Sequence, residues 1–282
     1  MQLGGCINKG IKCIEQHIWK RFYSILRLGV DEAGRGAVLG PLVISCVLLD
    51  AESEHKLHEM GVKDSKQMTA DQRFRLYDTI LDVKLRSCSM HISSLSIDRH
   101  RLRGLSMNVI EEDHIFDLLK KFVTDPVDEV VIDAFVSKNN RLHNETCKLF
   151  PAATVRCEFH ADVNHTCVAA ASVIAKVERD RAMSDLSKEL GVDIGTGYPH
   201  DPLSTEYIRR YVRDCGKAPT IARNTWVTTQ RIVEDVMNNH SVVCYDSQDL
   251  DSIELLHDKG NELNFEEERF IPVNILQRTK NT

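Results

Sequence analysis

Along the chain, short apolar runs alternate with longer periodic stretches. Residues 28–30 run apolar into two adjacent carboxylates, Asp31 and Glu32. After the glycine-rich segment Gly34-Arg35-Gly36, a second run over residues 42–49 is long enough for a buried strand. Thr69-Ala70-Asp71-Gln72 has the form of a capping box and opens a helix through Phe74, Leu76, Tyr77, Ile80 and Leu81. Residues 83–92 alternate imperfectly and read as a strand. A helix starts at Ser106, carries Val109, Ile110, Ile115, Leu118, Leu119 and Phe122 as its apolar stripe, and ends near Pro126. Residues 129–134 form a short strand without alternation, as expected of a strand covered on both faces. A short helix at 140–150, a strand at 154–159 and a long helix at 165–190 follow. The small residues Ala169, Ala170, Ala171, Ser172 and Ala175 let that helix lie close against a sheet. Past a Gly- and Pro-bearing loop at 191–202, two short helices are predicted at 203–214 and 225–238.

Strands first, then strands alternating with helices, predict an α/β layered domain over residues 26–240. Residues 1–25 form an N-terminal extension, with Ile14, Ile18, Phe22 and Ile25 at helical spacing, expected to pack on the body. Residues 241–282 read as an acidic, flexible tail with an apolar island at 270–276.

Composition adds limits. The 42% apolar and 28% charged content suits a soluble globular protein, and no eighteen-residue apolar run exists to span a membrane. The first residues lack the apolar core of a secretory signal, and nine scattered cysteines without a CxxC pair fit reduced intracellular thiols. The net charge of −6 is uneven: residues 231–282 hold five Lys/Arg against eleven Asp/Glu, which leaves residues 1–230 balanced. A local basic groove for nucleic acid is therefore compatible with the total.

The candidate chemistry lies at the strand ends. Asp133 closes one apolar strand, and Asp162 follows another just before the long helix. Each has an ordinary alternative: an exposed Asp-Glu loop, a turn residue at Asp133, a helix N-cap at Asp162. Adjacent strands lie ~4.8 Å apart, so acids ending them can converge. Four carboxylates without a His or Cys set suit Mg²⁺ or Mn²⁺, which take oxygen donors. Because strand side chains alternate, Asp31 and Glu32 share one site only if the strand ends or twists there.

These residues belong to a longer series. Gly29-Val30-Asp31-Glu32-Ala33-Gly34-Arg35-Gly36, Asp64-Ser65-Lys66, Val131-Ile132-Asp133, Ala161-Asp162, residues 170–180 and Gly195-Thr196-Gly197-Tyr198-Pro199 together resemble type 2 ribonuclease H, over roughly residues 26–235. The resemblance implies a ribonuclease H-like fold, a five-stranded mixed sheet flanked by helices, with a small C-terminal helical part. It implies Asp31, Glu32, Asp133 and Asp162 as catalytic and metal-binding acids for two Mg²⁺ or Mn²⁺ ions. The implied reaction is endonucleolytic hydrolysis of RNA in RNA/DNA hybrids, and incision 5′ of ribonucleotides embedded in DNA, leaving 5′-phosphate and 3′-hydroxyl ends. That activity would serve the removal of misincorporated ribonucleotides and of replication primers. Gly34, Arg35 and Gly36 would read the ribose 2′-hydroxyl through the main chain, and Tyr198 would pack under the sugar. Lys66 and Asn108 would contact phosphates, and Trp226 is expected in the core.

Two positions depart from the family pattern, Ala37 for proline and His160 for lysine. Residues 92–96 and the acidic tail look closer to the eukaryotic catalytic subunit, which implies two non-catalytic partners in a heterotrimer and, in a eukaryote, a nuclear location. The apolar island at 270–276 would be a docking segment. Two other readings compete: a resolvase- or integrase-like nuclease on the same architecture, and a non-catalytic scaffold for hybrid binding. The first does not require Gly34-Arg35-Gly36, and the second predicts a lost acid, whereas all four are present.

Overall fold

The computed structural model describes residues 24–62, 68–134, 140–239 and 268–272. Its centre is one sheet. Strands β1 (Arg27–Ala33), β2 (Leu42–Leu49) and β3 (Arg86–Ile92) form an antiparallel meander, and β4 (Glu129–Asp133) and β5 (Thr154–Glu158) add parallel to β1, in the order β5-β4-β1-β2-β3. This is the expected five-stranded mixed sheet. A sixth strand extends it: the backbone of β6 (Glu268–Pro272) pairs antiparallel with β3, Glu268 opposite Ile92. Within the segment 241–282, read from the sequence as an acidic tail, Glu268–Pro272 are thus a strand of the sheet.

Nine α-helices lie among the described residues. Helices α1 (Ala51–Glu59), α2 (Ala70–Val83), α3 (Ser94–Leu102), α4 (Met107–Leu119) and α5 (Asn140–Leu149) come first. The one-turn α6 (Ala161–Asn164), the long α7 (Thr166–Leu190), α8 (Pro202–Cys215) and α9 (Val227–Asn239) complete the set. The capping box at Thr69 has both of its reciprocal bonds, with Gln72 as N3. Helices α1 and α3 were not anticipated. Their segments are polar nearly all round, and each owes its start to a side-chain cap, Asp50 on Ser53 and Ser93 on Ser96. The expected helix in residues 1–25 lies almost wholly outside the described residues.

The two faces of the sheet bury different partners. On one, Leu28, Val30, Ile44 and Met90 pack against Ile115, Leu118 and Leu119 of α4. On the other, Val47, Leu49 and Val131 meet Ala169, Ala170, Ala171 and Ile174 of α7. A third cluster joins Val38 and Leu39 to Met183 of α7, Ile208 of α8 and Ile232 of α9, which fastens the C-terminal helices to the far half of α7. Trp226 is half-buried against both the first and third clusters, in line with its expected core role.

Helix α7 touches the backbone of β1. A Cβ added at Gly29 would stand 2.2 Å from the carbonyl carbon of Cys167, a backbone atom that cannot step aside. Gly29 is a strand-interior glycine because the helix lies directly on it. Gly29→Ala is expected to lower stability by about 3 kcal/mol, the upper end of ordinary overpacking, read as a fall in melting temperature. An unchanged melting temperature would show that α7 does not press on β1 as described.

Candidate active site

The acids arrive from three elements. Asp31 and Glu32 sit near the end of β1, and although alternation starts their side chains on opposite faces, the two carboxyl groups still come within hydrogen-bond reach of each other. Asp31 turns to the α7 side, where the Ser172 hydroxyl donates to it and Lys176 lies nearby. Lys176 Nζ in turn donates to Ser172 Oγ at 2.8 Å, so a two-residue relay on α7 orients this carboxylate. Glu32 turns towards α4, where Glu111 waits. Asp133 ends β4, one residue beyond the Val30–Ile132 pair of the parallel β1–β4 ladder. Its Oδ1 accepts the Ala161 amide at 2.8 Å, which draws α6 and its buried first-turn Asp162 to the same end of the sheet.

The electrostatics record the crowding. Burial and then the Asp133 charge push the Asp31 carboxyl up to about 7. Burial, followed by the charges of Glu111, Asp31 and Asp133, holds Glu32 well above the carboxylate range. Burial also raises Glu111 to about 7, against the pull of Arg35. Such a cluster needs protons or a cation. All its donors are oxygens, and the buried Oε1 of Glu111 has no hydrogen-bond partner. That chemistry fits Mg²⁺ or Mn²⁺. No three Asp, Glu, His or Cys side chains already close into a cation cage among the described residues, so an ion would draw the acids inward.

Beside the acids lies the glycine turn. Its carbonyls point inward: Arg223, fully buried, donates to Gly34 O and Arg35 O at 2.7 Å each and to Gly40 O at 3.3 Å. Gly34 has φ +91°, and a Cβ there would meet Arg179 Nε at 2.3 Å, so the position admits only glycine. A Cβ on Gly36 would meet nothing within 4 Å, which leaves that side of the turn open to a ligand. Val38 N and Leu39 N both donate to Gly197 O, at 2.8 and 3.1 Å, and bind the turn to the loop that carries Tyr198. The half-buried Tyr198 ring has the Arg179 guanidinium 4.6 Å from its centroid and the His200 ring stacked at 5.7 Å.

The Arg35 side chain folds back onto α4. Its Nε donates to Glu111 Oε2 at 2.6 Å, and its other arm donates to Asn108 Oδ1. Asn108, expected at a phosphate, is therefore a partner of Arg35. Lys66 lies outside the described residues. His160 is the one non-glycine residue with positive φ among those described, at 56°, and it is exposed at the start of α6. Arg179, Arg223, Glu111 and the Ser172–Lys176 relay carried no assigned role in the sequence. A buried arginine in a polar loop and a buried acid in a mixed helix look the same as exposed ones until the fold is known.

A mixed sheet of this order, with acids gathered at one end beside an open glycine turn, defines a ribonuclease H-like hydrolase. The chain belongs to the ribonuclease HII family, whose model matches residues 28–229. The ribonuclease HII of Thermococcus onnurineus is 40% identical over 207 residues, 73% of this chain and 89% of that one. The crystal structure of ribonuclease H2 from Pyrococcus horikoshii superposes with a TM-score of 0.68 at 34% identity, covering 76% of this chain and 100% of that one. The ribonuclease HII of Archaeoglobus fulgidus, solved as a complex with PCNA, gives 0.65 at 31%, covering 72% and 95%.

The raised acids make a sign prediction. Their folded-state pKa values exceed the unfolded ones, so the metal-free fold holds protons that the unfolded chain releases. Stability from this source is full below about pH 4 and is lost as the pH climbs to about 7. Without divalent cations, the melting temperature is expected to be lower at about pH 8 than at about pH 5. Added Mg²⁺ or Mn²⁺ should raise it more at the higher pH, because ion binding displaces those protons. An ion effect of equal size at both pH values would disconnect the cluster from metal.

Proposed function

We propose that this ribonuclease HII, a hydrolytic endonuclease acting on RNA in RNA/DNA hybrids, also incises duplex DNA 5′ of single embedded ribonucleotides, and that Asp31, Glu32, Asp133 and Asp162 are its catalytic acids. The observation that carries this reading is the gathering of Asp31, Glu32, Asp133 and Asp162 at one sheet end, Asp31 and Asp162 buried and the other two half-buried, next to a turn that only glycine can form. Enzymes of the ribonuclease H type use divalent metals. Bound by these four acids, two Mg²⁺ or Mn²⁺ ions would activate a water for in-line attack on phosphorus and stabilise the leaving 3′ oxygen.

The chain's own residues supply the rest. The Lys176–Ser172 relay fixes the orientation of Asp31, and the Ala161 amide fixes that of Asp133. Arg223 holds the carbonyls of the turn inward, which leaves the open face at Gly36 for the ribose 2′-hydroxyl, the group that separates RNA from DNA. Tyr198, backed by Arg179, presents its ring to the sugar. Asn108 spends its oxygen on Arg35, so any phosphate contact falls to its amide nitrogen. For partners, a PCNA-type protein, seen with the Archaeoglobus relative, joins the two non-catalytic subunits as a proposal for this chain.

Incubation with a duplex carrying one ribonucleotide, with Mg²⁺, Mn²⁺ or EDTA, tests the reading directly. Metal-dependent incision leaving 5′-phosphate and 3′-hydroxyl ends is expected. Cleavage of all-DNA duplex would instead favour a resolvase-like enzyme. Asp133→Asn should leave the fold intact and cut turnover at least ~10²-fold, the usual scale for losing transition-state electrostatics. Near-normal turnover in the folded variant would remove Asp133 from the chemistry. Tyr198→Ala should weaken cleavage at a lone ribonucleotide by roughly tenfold to a hundredfold, the range of one lost stacking contact. A long RNA strand offers many registers and should lose less. Equal losses on the two substrates would make Tyr198 a general support.

A further inference from the structure

Glu111 is an acid that none of these roles employs. It lies on α4 among Ile110, Ile115 and Leu118, facing the sheet, and its side chain is 0% exposed. Burying a carboxylate this completely is costly unless both oxygens are engaged. Only one is. Oε2 takes Arg35 Nε, while Oε1 is buried and without a hydrogen-bond partner.

A plain ion pair leaves this unexplained. A guanidinium can meet a carboxylate with two parallel bonds, which would satisfy both oxygens. Arg35 does not do so: its second arm goes to Asn108, one turn earlier on the same face of α4. The second oxygen of Glu111 is thereby left buried and without a partner. Its charge is the largest acidic influence on Glu32 and reaches Asp31 as well. One carboxylate thus joins the side chain of the ribose-reading turn to the metal-binding acids.

We propose that Glu111 is a positioning residue: its open oxygen holds a water of the hydrated divalent cation bound at Glu32, while its other oxygen holds Arg35, so that cation binding and the glycine turn are mechanically linked. The inference rests on the metal reading given above. Mg²⁺ and Mn²⁺ keep several waters when bound by few carboxylates, and such waters need acceptors. A buried oxygen with no other partner is one. Outer carboxylates of this kind typically change metal affinity ten- to a hundredfold when removed.

The test is Mn²⁺ binding to the full chain without nucleic acid, followed by the spin-resonance signal of free Mn²⁺, for wild type, Asp133→Asn and Glu111→Gln. The glutamine keeps an oxygen for Arg35 and replaces the open acceptor by a donor. Glu111→Gln is expected to bind Mn²⁺ about tenfold more weakly, with an unchanged or raised melting temperature. Its cleavage at a lone ribonucleotide should return to within about threefold of wild type at saturating Mn²⁺, since Arg35 stays tied. Glu111→Ala removes the carboxylate from Arg35 Nε, and saturating Mn²⁺ should not rescue it. If Glu111→Gln fails to fold, Glu111→Asp, which withdraws both oxygens by one methylene, should show the same weakening. Mn²⁺ affinity within twofold of wild type in the folded variant would overturn the proposal and leave Glu111 as a counter-ion of Arg35. Equal binding by wild type and Asp133→Asn would overturn the metal reading itself, and this inference with it.

Discussion

The contact between the α7 backbone and β1 at Gly29 is the constraint on which the rest depends. It brings a helix and a strand into direct register, with no side chain between them, so positions along one set positions along the other. Cys167 meets Gly29, Ser172 bonds Asp31 and Arg179 lies under Gly34. Twelve helical residues rise ~18 Å and five strand residues span ~17 Å, so the two ladders keep pace over this length. The placing of the acids and the shape of the glycine turn are thus two readings of one ruler. A shift of α7 by one residue would rotate Ser172 and Arg179 away together.

Charge is partitioned along that ruler. At the ends of β1 and β4 stand acids with too little positive charge. A few residues on, Arg179 and Arg223 lie buried beside one another without a carboxylate ion pair among the described residues. Burial and the neighbouring Arg179 bring the Arg223 guanidinium down to about 9, and carbonyl dipoles are its main company. A site that takes a cation at one end and the backbone and sugar of a polyanion at the other suits this pairing of opposite imbalances. Each would cost the free protein stability that ligand binding returns.

Much of this was legible in the sequence because it follows from local pattern. The strands were visible as apolar runs, α7 as a long stripe of small residues, the start of α2 as a capping box, and the acids as polar interruptions at strand ends. What escaped depends on the third dimension. Helices α1 and α3 carry too few apolar residues to show a period. Glu111 and Arg223 are charged residues in unremarkable places, and only the fold reveals them as buried. Asn108 was expected at a phosphate, and its oxygen, accepting from the folded-back Arg35, could not be foreseen from the sequence. Asp31 and Glu32, adjacent in sequence, take their further neighbours from different helices, Ser172 of α7 and Glu111 of α4, while their carboxyl groups still meet.

The sixth strand carries a consequence for how the molecule behaves among its own copies. Seven-residue β3 would otherwise end the sheet with a row of unpaired amides and carbonyls, the surface on which one protein recruits the strand of another. Glu268–Pro272 occupies that row through backbone pairing. Such pairing makes few demands on side-chain identity. Pro272 has no amide hydrogen, so at that residue β6 has no donor to extend towards a further strand. The pairing of Glu268–Pro272 thus removes from the sheet an edge on which copies could join strand to strand.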